Sequence, residues 1–192
     1  MADDERLMRQ FQQGGEAAYE ELVQRWETPM LNFFYRALGD FDAAQDLRQD
    51  LFVRVYQHRD SFEGRGTFKA WLYSIATNLL RTHFRKARPM ASLDGAPGEG
   101  APETPEPPAP GESACEAVLR GELSVLVRRL LDSLPPDDRQ ALVLRFYEHL
   151  PYHEIAAVLG VAEPTAKSRV YRALERLRRK VVARGLTVAE LI

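Results

Sequence analysis

The chain has 192 residues, enough for one large domain or two small ones, and its hydrophobic content of 45% supports a packed core in each. No apolar run reaches the roughly 18 residues a membrane span needs, and the acidic start, MADDERLM, has no apolar segment of the kind a signal peptide carries. The single cysteine, Cys115, excludes an intramolecular disulfide and fits a cytoplasmic protein, while a net charge of −2 conceals a strong segregation of charge along the chain.

Residues 5–39 read as helical. Tyr19, Leu22, Val23 and Trp26 recur at helical spacing, Pro29 sits where it must break, kink or restart a helix, and Leu31, Phe34, Tyr35 and Leu38 continue the pattern until Gly39 and Asp40 close it. A pair of core helices is the expectation. Residues 42–58 form another amphipathic helix, with Leu47, Leu51 and Val55 on the core side. Asp46, Gln49, Asp50, Arg54 and Gln57 lie on the outward side.

After Gly64 and Gly66 mark a loop, Thr67 is placed to cap a helix that holds Trp71, Leu72, Ile75, Ala76 and Leu79. Its end is basic, with Arg81, Arg85, Lys86 and Arg88. Phe62, Phe68, Trp71 and Tyr73 interleave with Arg65 and Lys69, and rings beside cations are a means of holding unstacked bases. The same rings also serve a core, which is the expected role of Phe68 and of part of Trp71.

Residues 89–112 differ in kind. They hold seven of the chain's twelve prolines, and their only charges are acidic. That composition reads as a flexible linker, whose twenty-four residues span at most about 80 Å. Helix resumes over 114–131. Leu134-Pro135-Pro136-Asp137-Asp138 is a helix start, with both acids expected at the positive helix end as caps. His149 and His153 are four apart, but Pro151 intervenes and no third ligand is near, so no metal or other cofactor is expected.

Residues 152–172, YHEIAAVLGVAEPTAKSRVYR, read as helix, turn, helix. Gly160 suits the left-handed position that ends the first helix, and Val161 fills the corner. The second helix is expected to bury Ala166, Val170, Leu174, Leu177 and Val181 and to expose Thr165, Ser168, Arg172 and Arg176, flanked by Lys167 and Tyr171. From Thr165 to Arg184 the chain carries eight basic residues, Arg169 among them, against one acid, Glu175. A helix so charged, in a chain whose net charge is −2, fits the second helix of a DNA-binding helix-turn-helix.

The order of these pieces resembles the extracytoplasmic-function branch of bacterial sigma factors. Two blocks carry the resemblance: DAAQDLRQDLFVRVYQHRDSFEGRGTFKAWLYSIATNLL and LPPDDRQALVLRFYEHLPYHEIAAVLGVAEPTAKSRVYRALERLR. It implies an all-α chain of two small helical domains joined by the Pro-rich linker, over 1–88, 89–112 and 113–192. The first domain would bind core RNA polymerase through Asp46, Gln49, Asp50 and Arg54. It would hold the melted minus-ten element through Phe62, Lys69, Trp71, Asn78, Arg81 and Arg85, with Phe62 and Asn78 lining a pocket for a flipped base. The second would read the minus-thirty-five element through Arg145, Thr165, Lys167, Ser168, Arg169, Tyr171, Arg172 and Arg176. Core polymerase, promoter DNA and an anti-sigma factor are the implied partners.

The chain departs from the family's usual pattern at Ala162, where a small hydroxyl cap is common, at Ala166, where a larger aliphatic is common, and at Thr82, where an acid is common. Two other classes stay open at this point. A stand-alone helix-turn-helix regulator would need no polymerase to bind DNA. An enzyme would need a site, yet Cys115 has no histidine partner and no phosphate-binding glycine loop is present.

Overall fold

The computed structural model describes residues 2–64, 66–87, 127 and 129–183. The linker over 89–112, most of the helix expected over 114–131, Cys115 and the tail from Arg184 onward lie outside them. The described residues form α1 (Ala2–Gln12), α2 (Glu16–Leu38), α3 (Phe41–Gln57), a 3-10 turn (Arg59–Ser61), α4 (Phe68–Ala87), α5 (Pro136–Phe146), α6 (Tyr152–Leu159) and α7 (Glu163–Ala183). The all-helical expectation holds. No helix among the described residues is long and apolar enough to cross a membrane.

The first helix break falls elsewhere than at Pro29. Helix α2 runs through that proline, and the chain turns instead over residues 13–15. Proline costs an interior helix about 3 kcal/mol. Leu22, Met30, Phe33 and Phe34, buried on both sides of Pro29, hold the two halves of α2 against the core and outweigh that cost. At Gly15 the chain folds back so tightly that any Cβ would stand 2.9 Å from the carbonyl oxygen of Gln10. Helix α3 starts where Asp40 Oδ1 accepts the Ala43 amide at 3.1 Å, a side-chain N-cap.

Helices α1 to α4 pack as one group, α5 to α7 as another, and the two groups meet where α4 lies on α6 and α2 lies on α5. A single buried cluster passes through both, from Leu22, Phe33, Leu51 and Tyr73 to Val143, Leu144, Ile155 and Val170. A second, smaller cluster of Leu131, Leu134, Leu142 and Ala173 seats α5 on α7. The two groups therefore share one core.

Candidate nucleic-acid interface

The helix-turn-helix is built by α6 and α7. Gly160 takes φ 64°, and its amide donates back to the carbonyls of Ala156 and Ala157, closing α6. Val161 is half-buried in the corner and its amide donates to the Ala156 carbonyl at 3.0 Å. At the start of α7, Ala162 supplies only its backbone carbonyl, which accepts from Thr165 and Ala166.

The buried stripe of α7 differs in one residue from the expected one. It runs Ala166, Val170, Ala173 and Val181, with Leu177 half-buried, and Leu174 is 38% exposed. At about 100° per residue, position 173 returns to within about 20° of Ala166, whereas position 174 stands about 80° away. The opposite face is as expected: Thr165, Lys167, Ser168, Tyr171, Arg172 and Arg176 are all exposed.

Asp137 and Asp138 do something the sequence did not reveal. Neither side chain caps α5. Asp137 pairs with Arg169 at 3.0 Å, and Asp138, 5% exposed, pairs with Arg172 at 3.2 Å and Arg176 at 3.7 Å. A carboxylate pair at the start of α5 thus orients three arginines of α7, although Arg172 keeps 55% of its side chain in solvent. Nothing in the local pattern points to this, because the partners are more than thirty residues apart. Arg145 sits apart from that arrangement: it is half-buried, donates to the Leu150 carbonyl at 3.1 Å and lies 5.0 Å over the Tyr152 ring.

In the first half, Thr67 caps α4 by accepting the Ala70 amide at 3.1 Å. Phe62, at the end of the 3-10 turn, is 6% exposed and packs edge-on against Phe68 and Trp71. Trp71 is half-buried. Asn78 and Arg85 are exposed, and Asn78 Oδ1 accepts from Arg81 at 3.3 Å.

Two of the cations expected to hold a nucleic-acid strand are already engaged by the other half. Lys69 Nζ donates to the Glu148 carbonyl at 2.6 Å, and Arg81 donates to the Leu159 carbonyl at 2.5 Å. Thr67 donates to Glu154 at 3.1 Å, and the buried Tyr73 phenol donates to the Glu148 carboxylate. Burial, with the negative charge of Glu148 next, pushes the Tyr73 phenol far above its ordinary range. Arg139 adds a bond to the Ala37 carbonyl at 2.9 Å, and the Arg36 guanidinium lies 4.5 Å over the Tyr147 ring. Helix α3, by contrast, keeps Asp46, Gln49, Asp50 and Arg54 exposed along one side.

Comparison with known proteins gives a consistent result. The Sigma-70 region 2 family matches residues 22–89, and the Sigma-70 region 4 family matches residues 124–177. The chain is 32% identical over 176 residues to the ECF RNA polymerase sigma factor SigW of Bacillus subtilis (strain 168), covering 91% of this chain and 94% of that protein. It is 34% identical over 174 residues to the RNA polymerase sigma-H factor of Pseudomonas aeruginosa, covering 90% of each. Among solved structures, the sigma factor RpoE of Bartonella quintana, in complex with the anti-sigma factor NepR, aligns with a TM-score of 0.65 at 28% identity, over 84% of this chain and 94% of that one.

Proposed function

Because the chain belongs to the extracytoplasmic-function sigma factors of bacterial RNA polymerase, we propose a division of labour among its helices. Helix α3 docks on core polymerase, α7 reads the upstream promoter element as duplex, and the loop before α4, with α4 itself, holds one melted strand downstream. The domains are 1–88 and 113–192, and 89–112 is the tether between them.

As a sigma factor the chain recognises promoter DNA and acts with RNA polymerase in transcription initiation. The observation that carries the detailed reading is the exposed face of α7. Thr165, Lys167, Ser168, Tyr171, Arg172 and Arg176 form one contiguous polar surface on a helix of major-groove size. Asp137 and Asp138 pair with these arginines rather than leaving them to search many rotamers, which lowers the ordering cost of binding. Lys167 and Arg176 suit phosphates, while Arg172 suits the edge of guanine.

The downstream reading rests on chemistry and placement. Asn78 presents a donor and an acceptor, which the edge of an extruded base needs. Lys69, Arg81 and Arg85 supply charge for the backbone of a strand, and Trp71 and Phe62 supply apolar surface. Since Lys69 and Arg81 now bond carbonyls of the second half, that half has to move aside before the strand can take their place. A tether of twenty-four residues, reaching at most about 80 Å, allows this without strain. Strand opening is then a matter of binding energy favouring the melted form, with no catalytic group of the chain's own, in the cytoplasm beside its polymerase. An anti-sigma factor is the partner class we assign as regulator. The aligned complex from Bartonella quintana supports that assignment.

Run-off transcription with purified core polymerase on genomic DNA tests the proposal and finds the promoter together. Discrete transcripts that require the chain, from sites sharing an upstream and a downstream element, are expected. Specific promoter binding by the chain with no transcript even when core polymerase is supplied would instead establish a stand-alone regulator.

A further inference from the structure

Helix α1 lies outside the residues matched by the region 2 family and carries none of the side chains assigned to polymerase or DNA. It nevertheless grips both ends of the loop that leads into α4. Gln12 Nε2 donates to the carbonyls of Arg59 and Phe62, each at 2.8 Å. Seven residues earlier on the same helix, Glu5 Oε1 accepts the backbone amide of Phe68, the first residue of α4, at 2.8 Å. Two turns separate these side chains on one helix face, a span of about 10 Å.

The Gln12 end is further confined. The Arg59 guanidinium lies 5.5 Å from the Phe11 ring centre and 5.3 Å from that of Tyr56, so the 3-10 turn is clasped from the side as well. One amide that spends both N–H groups on two carbonyls of the same turn fixes that turn in rotation as well as in position. Glu5 adds to Thr67 as a second acceptor in the first turn of α4, where the helix's free amides gather.

We propose that Gln12 and Glu5 are positioning residues for downstream promoter reading: α1 is a strut that sets where Phe62 and the first turn of α4 stand against the melted strand. The proposal rests on the reading given above that this loop and α4 hold that strand. Neither residue touches DNA. Each acts through the backbone of the loop, so its loss relaxes selectivity at the downstream element without altering docking on polymerase or reading by α7.

The test uses the full chain with core polymerase on a promoter series, each member altered at one base of either element. Gln12→Leu keeps the volume and removes both bonds; Glu5→Ala removes the acceptor at Phe68; Glu5→Gln keeps an amide oxygen that can still accept there. Open complexes are counted by permanganate reactivity. Discrimination among downstream bases is expected to fall roughly three- to tenfold in Gln12→Leu and Glu5→Ala, the effect of losing one or two ordinary hydrogen bonds. Upstream discrimination and co-purification with core polymerase should stay at the parent level, and Glu5→Gln should restore the downstream value. Parental discrimination in folded Gln12→Leu and Glu5→Ala would overturn the proposal, as would an equal loss at both elements. Should Gln12→Leu fail to fold, the two Glu5 variants decide alone. Phe62→Ala serves as the control for the loop. If it too leaves downstream discrimination unchanged, the loop does not read the strand and the underlying assignment has failed; if only the α1 variants are silent, the strut has.

Discussion

Helices α4 and α7 both carry the charge and the hydrogen-bonding groups for nucleic acid, yet they stand in opposite states. The face of α7 proposed to read duplex is open to solvent, with its arginines held by Asp137 and Asp138. Before α4, Phe62 is buried against Phe68 and Trp71, and on α4 Lys69 and Arg81 are bonded to the other half of the molecule while Asn78 and Arg85 stay exposed. On the proposed division of labour, the difference follows from what each face would meet. Duplex DNA presents its major groove ready-made, so a rigid open helix suffices. A melted strand exists only after polymerase and protein have acted together, so a face that holds it has no use before then. Exposed rings and unpaired cations there would invite other partners. Engaging Lys69 and Arg81 while leaving the α7 face open would let a single chain wait without losing the surface proposed to read duplex.

Variants on each face separate the two states. The largest effect is expected from Asp50→Arg, on the exposed side of α3. Reversing the charge of the proposed docking face should abolish co-purification with core polymerase and leave the melting curve of the isolated chain unchanged. Wild-type recovery of core enzyme with this variant would remove Asp50 from the docking face. Next comes Arg172→Ala on the open face. It should weaken upstream binding by roughly 1–3 kcal/mol and relax preference at one or two bases, as the loss of a base-reading arginine does. A binding selection that returns the parental sequence would show that another side of α7 reads the groove.

Asn78→Ala, at an exposed residue of α4, is expected to be milder and confined to the downstream element. Upstream binding should be unchanged, while preference at one downstream base falls by about 1 kcal/mol, read from permanganate footprints. If every promoter variant melts as it does with the parent, the flipped-base pocket is elsewhere. An effect of similar size concerns the latch between the halves. The folded Tyr73 phenol must stay neutral, because burial raises its pKa above the ordinary value of 10.0, whereas in the unfolded chain it ionises near that value. Its contribution is therefore complete below pH 10.0 and is lost as pH rises beyond it. Tyr73→Phe should be less stable than the parent by about 1 kcal/mol at neutral pH, and the gap should close in alkaline solution. A gap that stays constant to high pH would mean that the phenol is not held in its neutral form by the fold.

Much of this arrangement was legible in the sequence because its signals are local. The end of α6 at Gly160, the cap at Thr67 and the exposed stripe of Thr165, Ser168, Arg172 and Arg176 each follow from spacing within a few turns. The departures have equally physical causes. Helix α2 survives Pro29 because tertiary packing outweighs a local penalty. Ala173 replaces Leu174 in the buried stripe because rotation per residue, not hydrophobicity, decides which side chain faces in. The grip of Asp138 on Arg172, of Gln12 on the loop and of Glu148 on Tyr73 could not be read at all, since each joins residues from 34 to 75 positions apart, and only the packing of the helices brings them together.

The contrast between the two faces is tested most directly by fluorescence anisotropy with two labelled probes, a duplex bearing the upstream element and a single strand bearing the downstream element. Each is titrated with the chain alone and with the chain bound to core polymerase. The account predicts that the chain alone binds the duplex in a sequence-dependent way and does not bind the single strand specifically, and that core polymerase confers specific binding of the single strand. Specific binding of the single strand by the chain alone, as tight as with core polymerase, would contradict it.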